Sequence, residues 1–283
     1  MPGMHTISTG CTVAFAIDLY EHGIVSKDEL GGLDLTWGNT EAIIELTKAL
    51  ATGKGSGAEI FGDGIKAAVE RIGHRAAAKF AMHAGGEEVP MQDPLCFPGL
   101  AASYVIDATP GRHTQWSTWL IESNFVSPGL DHPPITDKCD YNGKGSAHFC
   151  MSNFGHCVNA AGVCWFATAI SRATALPEFI TMATGLEFNM DKMQEIGARL
   201  AALRMAFNIR EGVRNVNINL PSRVLGNPPL ESGPSMGITV DNEQQVWDYL
   251  REAGWNQTTG CPSGVTLKKL GLDFVSKQIG AMR

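Results

Sequence analysis

The stretch STGCTVAFAIDLYEHG holds an apolar run that opens behind a Ser or Thr and closes on Gly23. A hydroxyl can satisfy the free N–H groups at a helix start, and glycine adopts the left-handed turn that ends one, so a helix with both ends marked is predicted. GNTEAIIELTKALATG repeats the arrangement, with Asn39 or Thr40 as cap, Ile43, Ile44, Leu46 and Leu50 as apolar positions, and Gly53 as the stop. GAEIFGDGIKAAVERIG reads as a third helix, MDKMQEIGARLAALRMAFNIREG as a longer fourth and DNEQQVWDYLREAG as a last one. Alternation of period two is scarce, and FAMHAGGEEVP is the best extended candidate. The predicted fold is mainly α with few short strands.

At 283 residues the chain is long enough for one large or two moderate domains. The Gly- and Pro-rich segment GGEEVPMQDPLCFPG breaks the helical pattern and is where a boundary is expected, giving helical units over residues 1–85 and 86–283. A second breaker-rich stretch, NLPSRVLGNPPLESGPSMG, reads as a long surface loop.

A formal charge of -7 argues against a nucleic-acid surface, since a polyanion calls for a basic face. No apolar run reaches the roughly 18 residues that a membrane span needs. The apolar N-terminal run has no basic residue before it and meets Asp18 early, which is unlike a signal peptide, so a cytoplasmic protein is expected. The 7 cysteines form no small disulfide framework. Three of them, Cys150, Cys157 and Cys164, recur every seventh residue in HFCMSNFGHCVNAAGVCWFA. Chelating cysteines usually stand two to four residues apart, whereas seven is about two helical turns, so a shared stripe on a buried helix is one reading and metal ligation the other.

Several separated stretches resemble one family in order and spacing. HTISTGCTVAFAIDLYEHGIVSKDELGGLDLTWGN, FAMHAGGEEVPMQDP, FNIREGVRN, LPSRVL, SGPSMG and WDYLREAGW together are similar to the C-terminal part, domains 2 and 3, of the tungsten-containing aldehyde:ferredoxin oxidoreductases. That resemblance implies the family's helical C-terminal domains, with 1–85 as part of domain 2 and 86–283 as domain 3.

The family has two pterin-contacting motifs of the form D-x-x-G-L-C or D-x-x-G-L-D, the second ending in a cysteine that ligates a [4Fe-4S] cluster. Here NAAGVC takes that place, which makes Asn159, Gly162 and Val163 expected cofactor contacts and Cys164 the expected cluster ligand, with Cys150 and Cys157 left as core thiols. Asn159 stands where the family has Asp, keeping an acceptor but losing a charge. The first motif is represented by Gly3, Met4 and His5, the last replacing an acidic residue. Glycine lets backbone approach a cofactor closely and thiolate binds iron.

The other three cluster cysteines and the base for the tungsten bis-pyranopterin, with molybdenum as the alternative metal, lie N-terminal to this region in the family. The resemblance therefore implies a partner N-terminal half, on a separate chain or a missing segment, and ferredoxin or an iron-sulfur subunit as electron acceptor. SYVIDATPGRHTQW aligns with the segment of an active-site histidine, which assigns His113 a proton-transfer role, with Arg112 and Thr114 beside it as candidate ligand-binding and ring-orienting groups. Trp116, Trp119 and Phe125 read as core packing. The implied reaction is oxidation of an aldehyde to a carboxylic acid or its reverse. Reduction of an aromatic acyl-CoA ring and a noncatalytic helical subunit are the alternatives.

Overall fold

A computed structural model describes residues 3–124, 129–132, 135, 137–169 and 171–279. The chain divides into two compact units, Met1–Met91 with Asn219–Pro228, and Gln92–Ile218 with Pro229–Arg283. The division after Met91 falls inside the Gly- and Pro-rich stretch. Residues 219–228, expected in the second unit, return to the first.

In the first unit α1 (Thr6–Glu21), α2 (Thr40–Thr52), α3 (Ser56–Phe61) and α4 (Gly64–Ile72) surround a core of Phe15, Ile17, Leu19, Leu35, Leu46, Phe61 and Ile65. The cap of α1 is His5, three residues ahead of Ser8. Its Nδ1 accepts from the Ser8 backbone N–H at 3.4 Å and lies 2.8 Å from the Ser8 hydroxyl. The cap of α2 is Asn39, and Gly53 ends the helix at φ 65°. The expected third helix is two, split at Gly62-Asp63-Gly64. Two short strands, β1 (His83–Ala84) and β2 (Glu87–Glu88), pair antiparallel.

The second unit holds α5 (Gly99–Ile106), α6 (Trp119–Glu122), α7 (Lys144–Ala160), α8 (Trp165–Ala169), α9 (Ala175–Thr184), α10 (Met190–Arg210), α11 (Asn242–Glu252), α12 (Gly264–Lys269) and α13 (Asp273–Ile279). Its centre is α7, against which both α10 and α11 pack. At the α10 crossing Gly197 lies on the Asn153 carbonyl of α7, where any Cβ would overlap the backbone. Twelve of the 17 residues of α7 are buried, so it is wrapped on most sides rather than amphipathic. Among the described residues no strand occurs outside the first unit's pair, and no helix is long and apolar enough to cross a membrane. The fold is mainly α.

Candidate active site

Helix α7 sets three polar groups in a row. His148, Ser152 and His156 are four residues apart, one turn each, and so share a face. All three are buried and line a cavity of about 10 Å³ together with Ser103, Asp107, Gln115, Trp116 and Tyr249. Burial pushes both imidazoles down to about 3, with Arg204 and Arg112 adding to the effect at His156. Both rings are therefore neutral near pH 7. Arg204 Nη1 stands 3.3 Å from His156 Nδ1, and because arginine only donates, His156 accepts there and carries its proton on Nε2. The same guanidinium donates to Asp107 at 3.2 and 3.3 Å and to the Thr109 hydroxyl at 2.8 Å. Burial raises the Asp107 carboxyl above the usual carboxylate range, an effect that Arg204 opposes. Burial pushes the Tyr249 phenol up to about 12, and its hydroxyl lies 3.4 Å from Ser152 Oγ.

The other wall comes from the loop after α5. Trp116 there is 2% exposed and has φ 55°, a left-handed conformation that costs a bulky residue energy. Gly155 of α7 makes room for it, since a Cβ on that glycine would come within 2.8 Å of Trp116 Cβ. Trp116 also packs on Phe154 and Trp165, with ring centroids 5.0 and 6.4 Å apart.

His113 belongs to this same loop but is not among the cavity's lining residues. It is half-buried, and burial, followed by the neighbouring Arg112 charge, lowers its ring pKa and favours the neutral form. Its carbonyl accepts from Trp119 Nε1 at 3.2 Å. Thr114 does not hold the imidazole through any hydrogen bond in the structure; its hydroxyl accepts from Arg112 Nε at 2.9 Å. Trp119 joins Trp116 in the core of this unit, while Phe125 lies outside the described residues.

Beyond α7 the chain turns through Ala161 and Gly162, the latter at φ 70°, and presents Cys164 exposed ahead of α8. Val163 turns inward onto the core. Asn159 and Gly162 are exposed, and Asn159 Nδ2 donates to Gln115 Oε1 at 3.1 Å, which ties this turn to the Trp116 loop. The three evenly spaced cysteines thus have different fates. Cys157 is buried, and burial pushes its thiol up to about 11. Cys150 reaches about 11 through burial and then Asp131, whose carbonyl its Sγ contacts at 2.9 Å. Neither is suited to ionise and ligate metal. Cys164, out on the turn, has a sulfur open to an incoming group. Among the described residues no set of three or more His, Cys, Asp or Glu side chains could hold a metal ion by itself. An isolated exposed thiol therefore fits one ligand of a cluster completed by other residues, and does not fit a complete local site.

In the first unit, Met4 and His5 line an open groove of about 570 Å³ with Ser8, Thr9, Asp63 and Glu87. Gly3 precedes them at φ 73°. The groove mixes hydroxyls, carboxylates and the first turn of α1, a donor and acceptor set that matches a polar heterocycle. The buried histidines of α7 carry no mark in the sequence that separates them from His22 or His132. The only available signal is their four-residue spacing with Ser152.

The chain matches the family described as aldehyde ferredoxin oxidoreductase, domains 2 and 3, over residues 1–272. It is 29% identical to the tungsten-containing aldehyde ferredoxin oxidoreductase of Thermococcus kodakarensis over 92% of this chain and 42% of that protein. With the WOR-like subunit of aliphatic sulfonate oxidoreductase from Pyrococcus furiosus it shares 25% identity over 98% of this chain and 42% of that protein. Its fold superposes on the active-site complex BamBC of benzoyl coenzyme A reductase, solved with 1,5-dienoyl-CoA, at a TM-score of 0.70 and 20% identity, covering 99% of this chain and 46% of that one. The chain spans less than half the length of these relatives. A family match over residues 1–272 means that the chain belongs to the aldehyde ferredoxin oxidoreductase family, in the region of its domains 2 and 3.

Proposed function

We propose that this chain is the C-terminal half of the catalytic subunit of a tungsten-pterin oxidoreductase that converts an aldehyde to a carboxylic acid, or the reverse. The observation that carries the reading is the exposed Cys164 on its glycine turn within a chain matching the family along residues 1–272. The overall conversion is RCHO + H2O → RCOO⁻ + 3 H⁺ + 2 e⁻, so both electrons and protons must leave. When bound, the tungsten pterin and a [4Fe-4S] cluster supply the redox chemistry and pass electrons on to ferredoxin or a partner subunit.

The residues of this chain have the supporting tasks. Cys164 supplies one thiolate to the cluster, the others coming from the N-terminal half of the enzyme. Gly162 allows the close backbone approach, Val163 anchors the turn on the core, and Asn159 offers a hydrogen bond to the pterin. Met4 and His5, with Gly3 ahead of them, offer the groove of the first unit to a pterin. His113, neutral near pH 7, can accept a proton at its ring and pass it on.

The test is co-expression with the N-terminal half. Stoichiometric tungsten and iron, loss or alteration of the cluster's paramagnetic signal in Cys164→Ala but not in Cys150→Ala, and aldehyde-dependent reduction of an acceptor are expected. His113→Asn should lower turnover at least about a hundredfold with metal content unchanged. Ring reduction of an aromatic acyl-CoA without aldehyde oxidation would replace the substrate assignment, and a metal-free complex would point to a noncatalytic subunit.

A further inference from the structure

The small cavity beside α7 is too narrow for an aldehyde substrate, yet it is built from polar groups. Gln115 and Trp116, 3% and 2% exposed, line it, and both Gln115 Nε2 and Trp116 Nε1 lack a protein partner. A buried N–H left unpaired costs about as much as a lost hydrogen bond, and native interiors rarely tolerate one, let alone two on adjacent residues. The volume, about 10 Å³, is the size that admits one water. The α7 face lines the cavity as well, and the Ser152 hydroxyl oxygen and the unprotonated ring nitrogen of His148 can accept the two hydrogens that such a water has left. Trp116 moreover holds its left-handed conformation against Gly155, so the loop keeps both donors in place at a backbone cost.

We propose that this cavity is a built site for a single ordered water accepting hydrogen bonds from Gln115 Nε2 and Trp116 Nε1, and that Gln115, held by it, is a positioning residue for Asn159. With its nitrogen committed to the water, the Gln115 amide can turn only Oε1 toward Asn159, which is the atom that accepts from Asn159 Nδ2 at 3.1 Å. Asn159 is thereby fixed in turn. One N–H of its Nδ2 is engaged, which fixes the amide plane and with it the direction of Oδ1, an acceptor suited to a ligand's N–H. This last consequence rests on the pterin contact proposed above; the water and the Gln115–Asn159 clamp do not.

A high-resolution structure of the assembled protein should show one water within hydrogen-bonding distance of both donors. A dry cavity, or a Gln115 amide turned with Oε1 into it, would overturn the proposal. Hydrogen–deuterium exchange reads the clamp, because the Ala161, Gly162 and Val163 amides donate to Cys157, Asn159 and Val158 carbonyls at the end of α7. Gln115→Met should speed their exchange roughly three- to tenfold, Trp116→Phe less, and Gln115→Glu, which keeps the acceptor, should restore most of the protection. In an Asn159→Ala background Gln115→Met should add nothing. An undiminished acceleration there would show that Gln115 acts through packing alone and would sink the positioning role. Tungsten and iron content separates the two readings: the clamp with no metal in the wild type refutes the cofactor assignment, whereas metal without the clamp refutes this one.

Discussion

The interiors of the two units are made differently. Among the described residues, the first unit buries only Thr12 and Glu88 as polar side chains. Glu88 is answered, its Oε1 accepting from the Ile65 backbone N–H at 2.8 Å at the start of α4. The second unit buries Asp107, Gln115, Lys144, His148, Ser152, Asn153, His156, Asn215, Gln245 and others. Apolar burial stabilises without direction, whereas each buried polar group costs free energy unless partnered. A unit built mainly by the first route is a scaffold. One that carries so many polar groups inside is committed to particular geometries, and that is where the Asn159–Cys164 turn and the His113 loop are found.

The strongest way to break this contrast is at the second unit's buried ion pair. Lys144 and Glu122 are 1% and 0% exposed at the side chain and 2.7 Å apart, and Glu122 also accepts from the Gly99 N–H that opens α5. Lys144 donates in addition to the Lys138 carbonyl. Lys144→Met leaves a carboxylate buried without its partner and should destabilise this unit by about 4 kcal/mol, read from denaturant unfolding. In the first unit Leu46→Ala, at a fully buried position, should cost about 3 kcal/mol through lost burial and a cavity. If the lysine variant costs less than the leucine one, polar geometry is not what holds the second unit.

Acid sharpens the comparison. His148 and His156 have folded pKa values near 3 against about 6.5 unfolded, so the unfolded state binds protons first as pH falls. Stability supplied by their neutral forms is full above about 6.5 and declines toward 3, by about 1.4 kcal/mol per pH unit for each ring. His148→Phe, which keeps an aromatic ring against Tyr249 (centroids 5.1 Å), should flatten the acid limb by one ring's share. An unchanged slope would show that His148 protonates without unfolding. The smallest expected effect is local: Asn39→Ala removes the α2 cap, whose Oδ1 accepts from Ala42 N–H at 3.2 Å, and should cost about 1 kcal/mol with no change in acid sensitivity.

Legibility in the sequence follows the same division. Asn39 and Gly53 end α2 where the capping residues place them, and the helices over Met190–Arg210 and Asn242–Glu252 sit where their periodic runs do. FAMHAGGEEVP, expected as an extended piece, is a short hairpin that turns at Gly85-Gly86. The α1 cap went to His5 because an imidazole nitrogen can accept the same N–H that a hydroxyl would, a substitution that propensity alone does not rank. The resemblance pointed to the Asn159–Cys164 motif and the His113 segment, and said nothing of the cavity-lining His148 and His156.

What the sequence by itself determined is what neighbours in the chain decide: the α2 cap, the glycine stops and a mainly α class. The tertiary structure alone decided which of three cysteines with equal spacing is sealed and which is exposed, since α7 ends at Ala160 and only Cys164 lies past the turn. It also decided that a lysine and two histidines are interior, that Trp116 is left-handed, and that residues 219–228 belong with the first unit. The physical reason is range. A cap or a left-handed glycine is set by groups within a turn of it, whereas burial, pKa and an unpaired donor are set by residues tens of positions away, and the periodicity of a single helix carries no record of what will pack on each of its faces.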